Sequence, residues 1–207
     1  MKRASAPIPK KKIDPRESLM DAVVRLTASG GIESVSVRTV VAEASGVSTD
    51  LYLYRLFGGK EQLLSDAFLR EDRRLSDEVF WRSDSLFESN LPFESRLRYL
   101  WNGVWSWLIS HPGECLFLAR YFYSSYPTPQ IWERHRAVWA STAEKWQDVF
   151  PLADTARLTD TFFSSLLSAA FPVCLGRIPD DGTAVENGFL TLSGVFAFWA
   201  GQEQKNA

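Results

Sequence analysis

A glycine between two short helical patterns, in the stretch SVRTVVAEASGVSTDLYLYRLFGGKEQLL from Ser36 to Leu64, leaves this chain few ways to fold. Val37, Val40, Val41 and Ala44 recur at i, i+3, i+4 and i+7 as one apolar stripe, with Arg38, Thr39 and Glu43 off it. Ser36 stands where a hydroxyl satisfies an unpaired N–H of a first helical turn. Gly46 stands where that helix must stop and the chain turn sharply, a position suited to a residue without a Cβ. The next helix, expected over Thr49 to Leu56 with Ser48 as its cap, is too short to persist alone. Val47, Leu53, Leu56 and Phe57 must therefore hold it by packing, which turns Thr49, Asp50, Tyr52 and Arg55 outward. A longer helix opens after Gly58-Gly59-Lys60, and the whole has helix-turn-helix spacing.

Ser36, Gly46-Val47-Ser48, Tyr54, Phe57, Lys60 and Glu61 together resemble the DNA-binding motif of the TetR family of bacterial transcriptional regulators. The resemblance covers roughly residues 14 to 70, and the chain departs from it by one extra residue between the turn glycine and the tyrosine. It implies an all-α protein of about nine helices. A three-helix DNA-binding head would span residues 13–60, and a helical ligand-binding and dimerisation domain would span 61–207, with 61–82 as the connecting helix.

Asp14-Pro15 supplies the acidic cap and first-turn proline that open a helix. Leu19, Val23 and Leu26 give that helix an inner stripe, flanked by Met20, Val24 and Thr27, and it ends at Gly30-Gly31. Ile32 and Val35 follow, placed to close the small core. Residues 1–12 show no periodicity but carry Lys2, Arg3, Lys10, Lys11 and Lys12; such an arm is either a solvated leader or a groove-reaching extension. From Lys60, Leu64, Phe68, Leu75 and Val79 mark a long helix reaching about Arg82. Asp66, Arg70, Glu71, Arg73 and Arg74 on its other faces are expected to be solvated.

The formal charge of −2 hides an asymmetry. Residues 1–60 hold ten Lys/Arg against six Asp/Glu, while 61–207 hold thirteen against nineteen, so a polyanion is drawn to the front of the chain. Two cysteines, Cys115 and Cys174, make no disulfide framework, which with the absence of a secretory pattern points to a reduced cytoplasm. No apolar run reaches the ~18–20 residues of a membrane span.

Beyond Pro92 every segment reads as helix between Pro or Gly: 92–110, 113–126, 129–150, 154–175 and 183–204. All eight Trp lie after residue 80. Trp132, Trp139 and Trp146 are spaced by seven, with His135 and Phe150 on the same face, and Trp101 and Trp105 are four apart. Such stripes pack cores. They also wall apolar ligand sites, for which Trp101, Trp105, Phe122, Tyr123, Tyr126, His135, Trp139, Phe163 and Leu167 are candidates, with Asn102 a further polar group. Phe162, Leu166, Ala169, Ala170 and Val173 cover one side of the next helix and Phe163, Leu167 and Phe171 another, so it must be buried on both. Phe189, Leu192, Phe196 and Trp199 form a stripe on the last helix. The resemblance implies that these two helices pair with a second copy, which makes Phe162, Leu166, Ala170, Phe189, Leu192, Phe196 and Trp199 the candidate dimer interface. A monomer burying both faces would show the same pattern.

The partners implied are therefore an operator in double-stranded DNA, a second copy of the chain and a small-molecule effector, with no membrane, metal or cofactor. Ser36, Arg38, Tyr54 and Lys60 are expected on phosphates. Thr49, Asp50, Tyr52 and Arg55 are expected at base edges, with Ser48 beside them. A dimer sets two such helices about one DNA turn, ~34 Å, or somewhat more, apart, hence a near-palindromic operator, with repression by occlusion as the simplest outcome. Two histidines, with no His-Glu-x-x-His, phosphate loop or nucleophile elbow, leave little for an enzyme. The competing class is a helical protein-binding adaptor whose helix-turn-helix no longer grips DNA.

Overall fold

The Asp14 carboxylate accepts from the Arg16 backbone N–H at 2.9 Å and Pro15 takes the first helical position, so α1 (Pro15–Gly30) starts where the acidic cap and proline require. The computed structural model describes residues 14–87, 91–144, 150 and 154–206; the arm expected over residues 1–12, and Trp146, lie outside them. After α1 come a 3-10 turn (Ile32–Ser34), α2 (Val37–Glu43), α3 (Asp50–Phe57), α4 (Lys60–Phe87), α5 (Phe93–Ser110), α6 (Pro112–Phe122), α7 (Pro129–Glu144), α8 (Thr155–Cys174) and α9 (Thr183–Asn206). The described residues are thus all-α, and no helix among them is long and apolar enough to cross a membrane.

In the head, Leu19 and Val23 of α1 meet Val40, Val47, Leu53 and Phe57 in one buried cluster that continues into Leu64 and Phe68 of α4. Ser36 accepts from the Thr39 N–H at 3.1 Å while Thr39 Oγ1 accepts from the Ser36 N–H at 2.9 Å, a reciprocal cap for a helix of only two turns. Gly46 has φ 74° at the turn, and Gly58, with φ 76°, ends α3 by donating to the Tyr54 carbonyl at 2.8 Å.

Two expectations for α4 change. It runs five residues past Arg82, to Phe87. Its charged face is not uniformly solvated either: Glu71 and Asp72 are fully buried. Arg70 reaches Glu17 and Asp21 of α1 at 2.9 and 2.8 Å and Glu71 at 2.6 Å, so α1 covers this face and the charges become a clamp between helices. Burial pushes the Glu71 carboxyl up from its ordinary value, more than Arg70 and Arg74 draw it down.

Body and head meet along α1 and α6. The Arg120 guanidinium donates to the carbonyls of Thr27 and Ala28, placing a cation at the C-terminal end of α1 where unpaired carbonyls accumulate. Beside it Tyr121 and Ser65 share a buried hydroxyl–hydroxyl bond of 2.9 Å between α6 and α4. In the body, α5, α8 and α9 enclose an aromatic core in which Trp101 packs against Phe162 and Phe189 and donates its indole N–H to the Val185 carbonyl at 3.1 Å.

Candidate nucleic-acid interface and body site

The helix α3 has two unlike faces. Leu53 and Phe57, four apart, are buried and set its register, while Asp50, Tyr52, Tyr54 and Arg55 are exposed together with Ser48 and Thr49 just before it. The cap differs from expectation. Thr49 occupies that position and makes no side-chain cap bond, and the helix begins at Asp50, so Ser48 is free of that role. Ser36 and Arg38 are exposed at the start of α2, Ser36 committed to its cap.

Leu51, 73% exposed, is the residue the apolar stripe left out. It lies off the Val47–Leu53–Phe57 side. A leucine in that place within an otherwise polar outward face was the available signal that the face itself is chemically mixed.

Charge on this surface is sparse. Arg25 pairs with Glu43 at 2.8 Å, and Arg16 pairs with Asp66, donates to the Leu56 carbonyl and covers the Phe57 ring at 4.5 Å. That leaves Arg38 and Arg55 facing outward, neither engaged by a described residue. Lys60, expected on a phosphate, donates instead to the Tyr126 hydroxyl at 2.7 Å with its ammonium 5.0 Å from that ring. The start of α4 is thereby tied to the loop after α6. Residues 14–60 hold five Lys/Arg against six Asp/Glu, so the excess of positive charge in the first sixty residues resides in the first twelve.

The ligand candidates do not share one cavity. Trp101 and Trp105, stacked 6.5 Å apart, belong to the core with α8 and α9, as does buried Leu167. Because α6 ends at Phe122, Tyr123 and Tyr126 fall in the following loop. Tyr123 is 57% exposed and bonds Ser164 and Ser168 of α8, and Tyr126 holds Lys60. Asn102 lines a separate cavity of about 380 Å³ between α4 and α5. His135, Trp139, Phe163 and Phe122 do converge, where α4, α6, α7 and α8 meet. Asp72, not anticipated, joins them by accepting from both His135 and Trp139 at 2.8 Å. Phe150, buried, lies beyond the described end of α7 and packs on Phe93 and Phe196.

The interface candidates need correction as well. Phe162, Leu166, Ala170, Phe189, Leu192 and Phe196 are buried inside the single chain, because α5 forms a third wall around them; Trp199 is partly buried against Phe196. The open apolar face of α9 is another one, with Leu190 57% and Phe198 63% exposed and Gly194 and Ala197 between them. Among the described residues no cluster of His, Cys, Asp and Glu has the makings of a metal site.

No family model matches the sequence. Solved structures do match it. A TetR family transcription regulator from Marinobacter aquaeolei VT8 superposes with a TM-score of 0.63 at 22% identity over 86% of this chain and 93% of that one. A protein described as of the same family, from Shewanella sp. PV-4, gives 0.71 at 20% identity over 87% and 96%. The transcriptional regulator FadR from Bacillus subtilis, in complex with stearoyl-CoA, gives 0.61 at 13% identity over 85% and 96%. At such identities the likeness speaks for the architecture, head and body together: the chain has the fold of the TetR family transcription regulators.

Proposed function

We propose that this chain is a DNA-binding transcriptional regulator, acting in the cytoplasm as a homodimer on a near-palindromic operator and released by a small, largely apolar effector bound in its body. The observation that carries this reading is α3. A two-turn helix buries Leu53 and Phe57 and leaves Leu51, Tyr52, Tyr54 and Arg55 exposed on a capped helix-turn-helix, which suits a helix that enters the major groove. Repression by occlusion needs no further surface. That FadR from Bacillus subtilis binds stearoyl-CoA supports a body built for an apolar effector. Leu190, Gly194, Ala197 and Phe198 on α9 offer a second copy an apolar face with room for close approach.

A gel shift against the DNA next to the protein's own coding sequence tests the reading. A salt-sensitive specific complex is expected; indifference to duplexes at every salt concentration leaves the adaptor reading in its place. Lys60→Ala refines the contact map. If Lys60 exchanges Tyr126 for a phosphate on DNA, the variant weakens specific and random complexes alike and lowers the slope of log affinity against log salt by about one. An unchanged slope removes Lys60 from the DNA contacts.

A further inference from the structure

The imidazole of His135 is wholly buried, and its two nitrogens differ in what they meet. Nδ1 lies 2.8 Å from one oxygen of Asp72, and the other oxygen accepts from the Trp139 indole N–H at 2.8 Å. An indole nitrogen only donates and an ionised carboxylate only accepts, so Nδ1 carries a proton, and in the neutral imidazole Nε2 then presents a lone pair. Among the described residues nothing donates to it. The rings of Phe163, Phe68, Trp132 and Phe122 stand around the imidazole at 4.8, 5.7, 5.9 and 6.2 Å. An acceptor buried among hydrocarbon without a donor carries its full desolvation cost, which a guest or a water that supplies the donor would relieve.

A cavity lies beside it, on the far side of two of these rings. Phe122 and Trp132, edge to face at 4.8 Å and only partly buried, also wall an open cavity of about 630 Å³, the volume of a small organic ligand. Around its rim Arg136 and Arg157 are balanced by Asp154 and Asp160, with Arg136 bonded to both oxygens of Asp160 at 3.1 and 2.6 Å. That rim favours neither an anion nor a cation. Behind the imidazole, Asp72 contributes negative charge and so opposes an anionic group at Nε2.

We infer that this is a ligand site, and that it takes a neutral, planar, mostly apolar molecule carrying one O–H or N–H donor, which seats in that cavity, parts the Phe122 and Trp132 rings and donates to His135 Nε2. Calling that molecule the effector rests on the regulator reading above; its binding does not. The site is held by four helices, with Asp72 on α4, Phe122 on α6, His135 on α7 and Phe163 on α8, so a guest at Nε2 bears through His135 and Asp72 on the helix that leads into the head.

Calorimetry on the full chain with 2-naphthol and with 2-methoxynaphthalene, which has the same rings but no donor, tests the inference. The naphthol is expected to bind roughly ten-fold more tightly, the ratio one neutral hydrogen bond supports, and His135→Phe to erase the difference. The chain holds only two histidines, His111 and His135, so the imidazole nitrogen NMR spectrum of the unaltered protein gives a second measurement that does not depend on a variant folding. Naphthol should move the His135 Nε2 resonance and leave His111 in place. Equal affinity for the two compounds, binding of neither, or an unmoved His135 resonance overturns the site. A missing DNA complex in the gel shift would overturn the regulator reading and leave this site intact, so the two failures are distinguishable.

Discussion

In the proposed regulator, Leu51 separates stability from recognition. At 73% exposed it buries little surface in the free protein, so Leu51→Ala should change unfolding free energy by less than about 0.5 kcal/mol. In the proposed complex with DNA the same side chain would offer an apolar surface for a thymine methyl, and its loss is expected to reduce the preference for operator over random duplex by on the order of 1 kcal/mol. Chemical denaturation and competitive DNA titration read the two effects separately. A variant as selective as the parent would take Leu51 out of the recognition surface. Tyr126 has the complementary position. It stands outside the head, yet its hydroxyl holds Lys60 at the head's edge, a pairing across 66 residues of chain.

Among the elements, the α5–α8–α9 packing and the α1–α4 clamp make opposite use of space and charge. Gly188 lets α9 lie against its neighbours: a Cβ there would come within 2.7 Å of the Trp101 ring and 2.8 Å of Ala169. Two helices would have to yield together, so Gly188→Ala should destabilise by about 1–3 kcal/mol, read as a lower denaturant midpoint with unchanged slope. A neutral result would mean that α9 sits further out. In the clamp, Glu71 has a folded-state pKa above its ordinary 4.5, raised by burial. The native state therefore binds more protons than the unfolded chain in the window opening near 4.5, so this group's stabilisation is present below that pH and is lost as pH rises through the folded value. Glu71→Gln removes the dependence and keeps an acceptor for Arg70, which still has Glu17 and Asp21. Thermal melts should show the variant gaining on the parent from pH 4.5 toward neutrality; a constant difference across that range would count against the raised pKa.

At the scale of the whole molecule, the two sides of α9 divide folding from the proposed association. Phe196 is buried against Phe93, Phe150 and Trp199, whereas Phe198, two residues on, is exposed. A charge at Phe196, as at Leu166 on α8, should unfold the chain. Phe198→Asp should leave the monomer folded and dissociate the proposed dimer. Sedimentation at micromolar concentration with circular dichroism separates the outcomes: a wild-type monomer, or a Phe198→Asp dimer, would refute that interface.

Periodicity and punctuation alone determined the helical class, the Asp14-Pro15 and Ser36 helix starts, the turn at Gly46 and the inward set Val47, Leu53 and Phe57. These depend on bonds and spacings within a few residues, where backbone geometry leaves few choices. Tertiary structure decided what local spacing does not encode. An apolar stripe on α8 or α9 reads the same whether α5 or a second chain covers it, and only the packed chain shows that α5 does. Charges on α4 read as solvated until α1 and α7 lie over Arg70, Glu71 and Asp72. The Asp72–His135–Trp139 cluster joins Asp72 to residues more than sixty positions on, a distance over which no helical period carries information, and it exists only because α4 and α7 meet there.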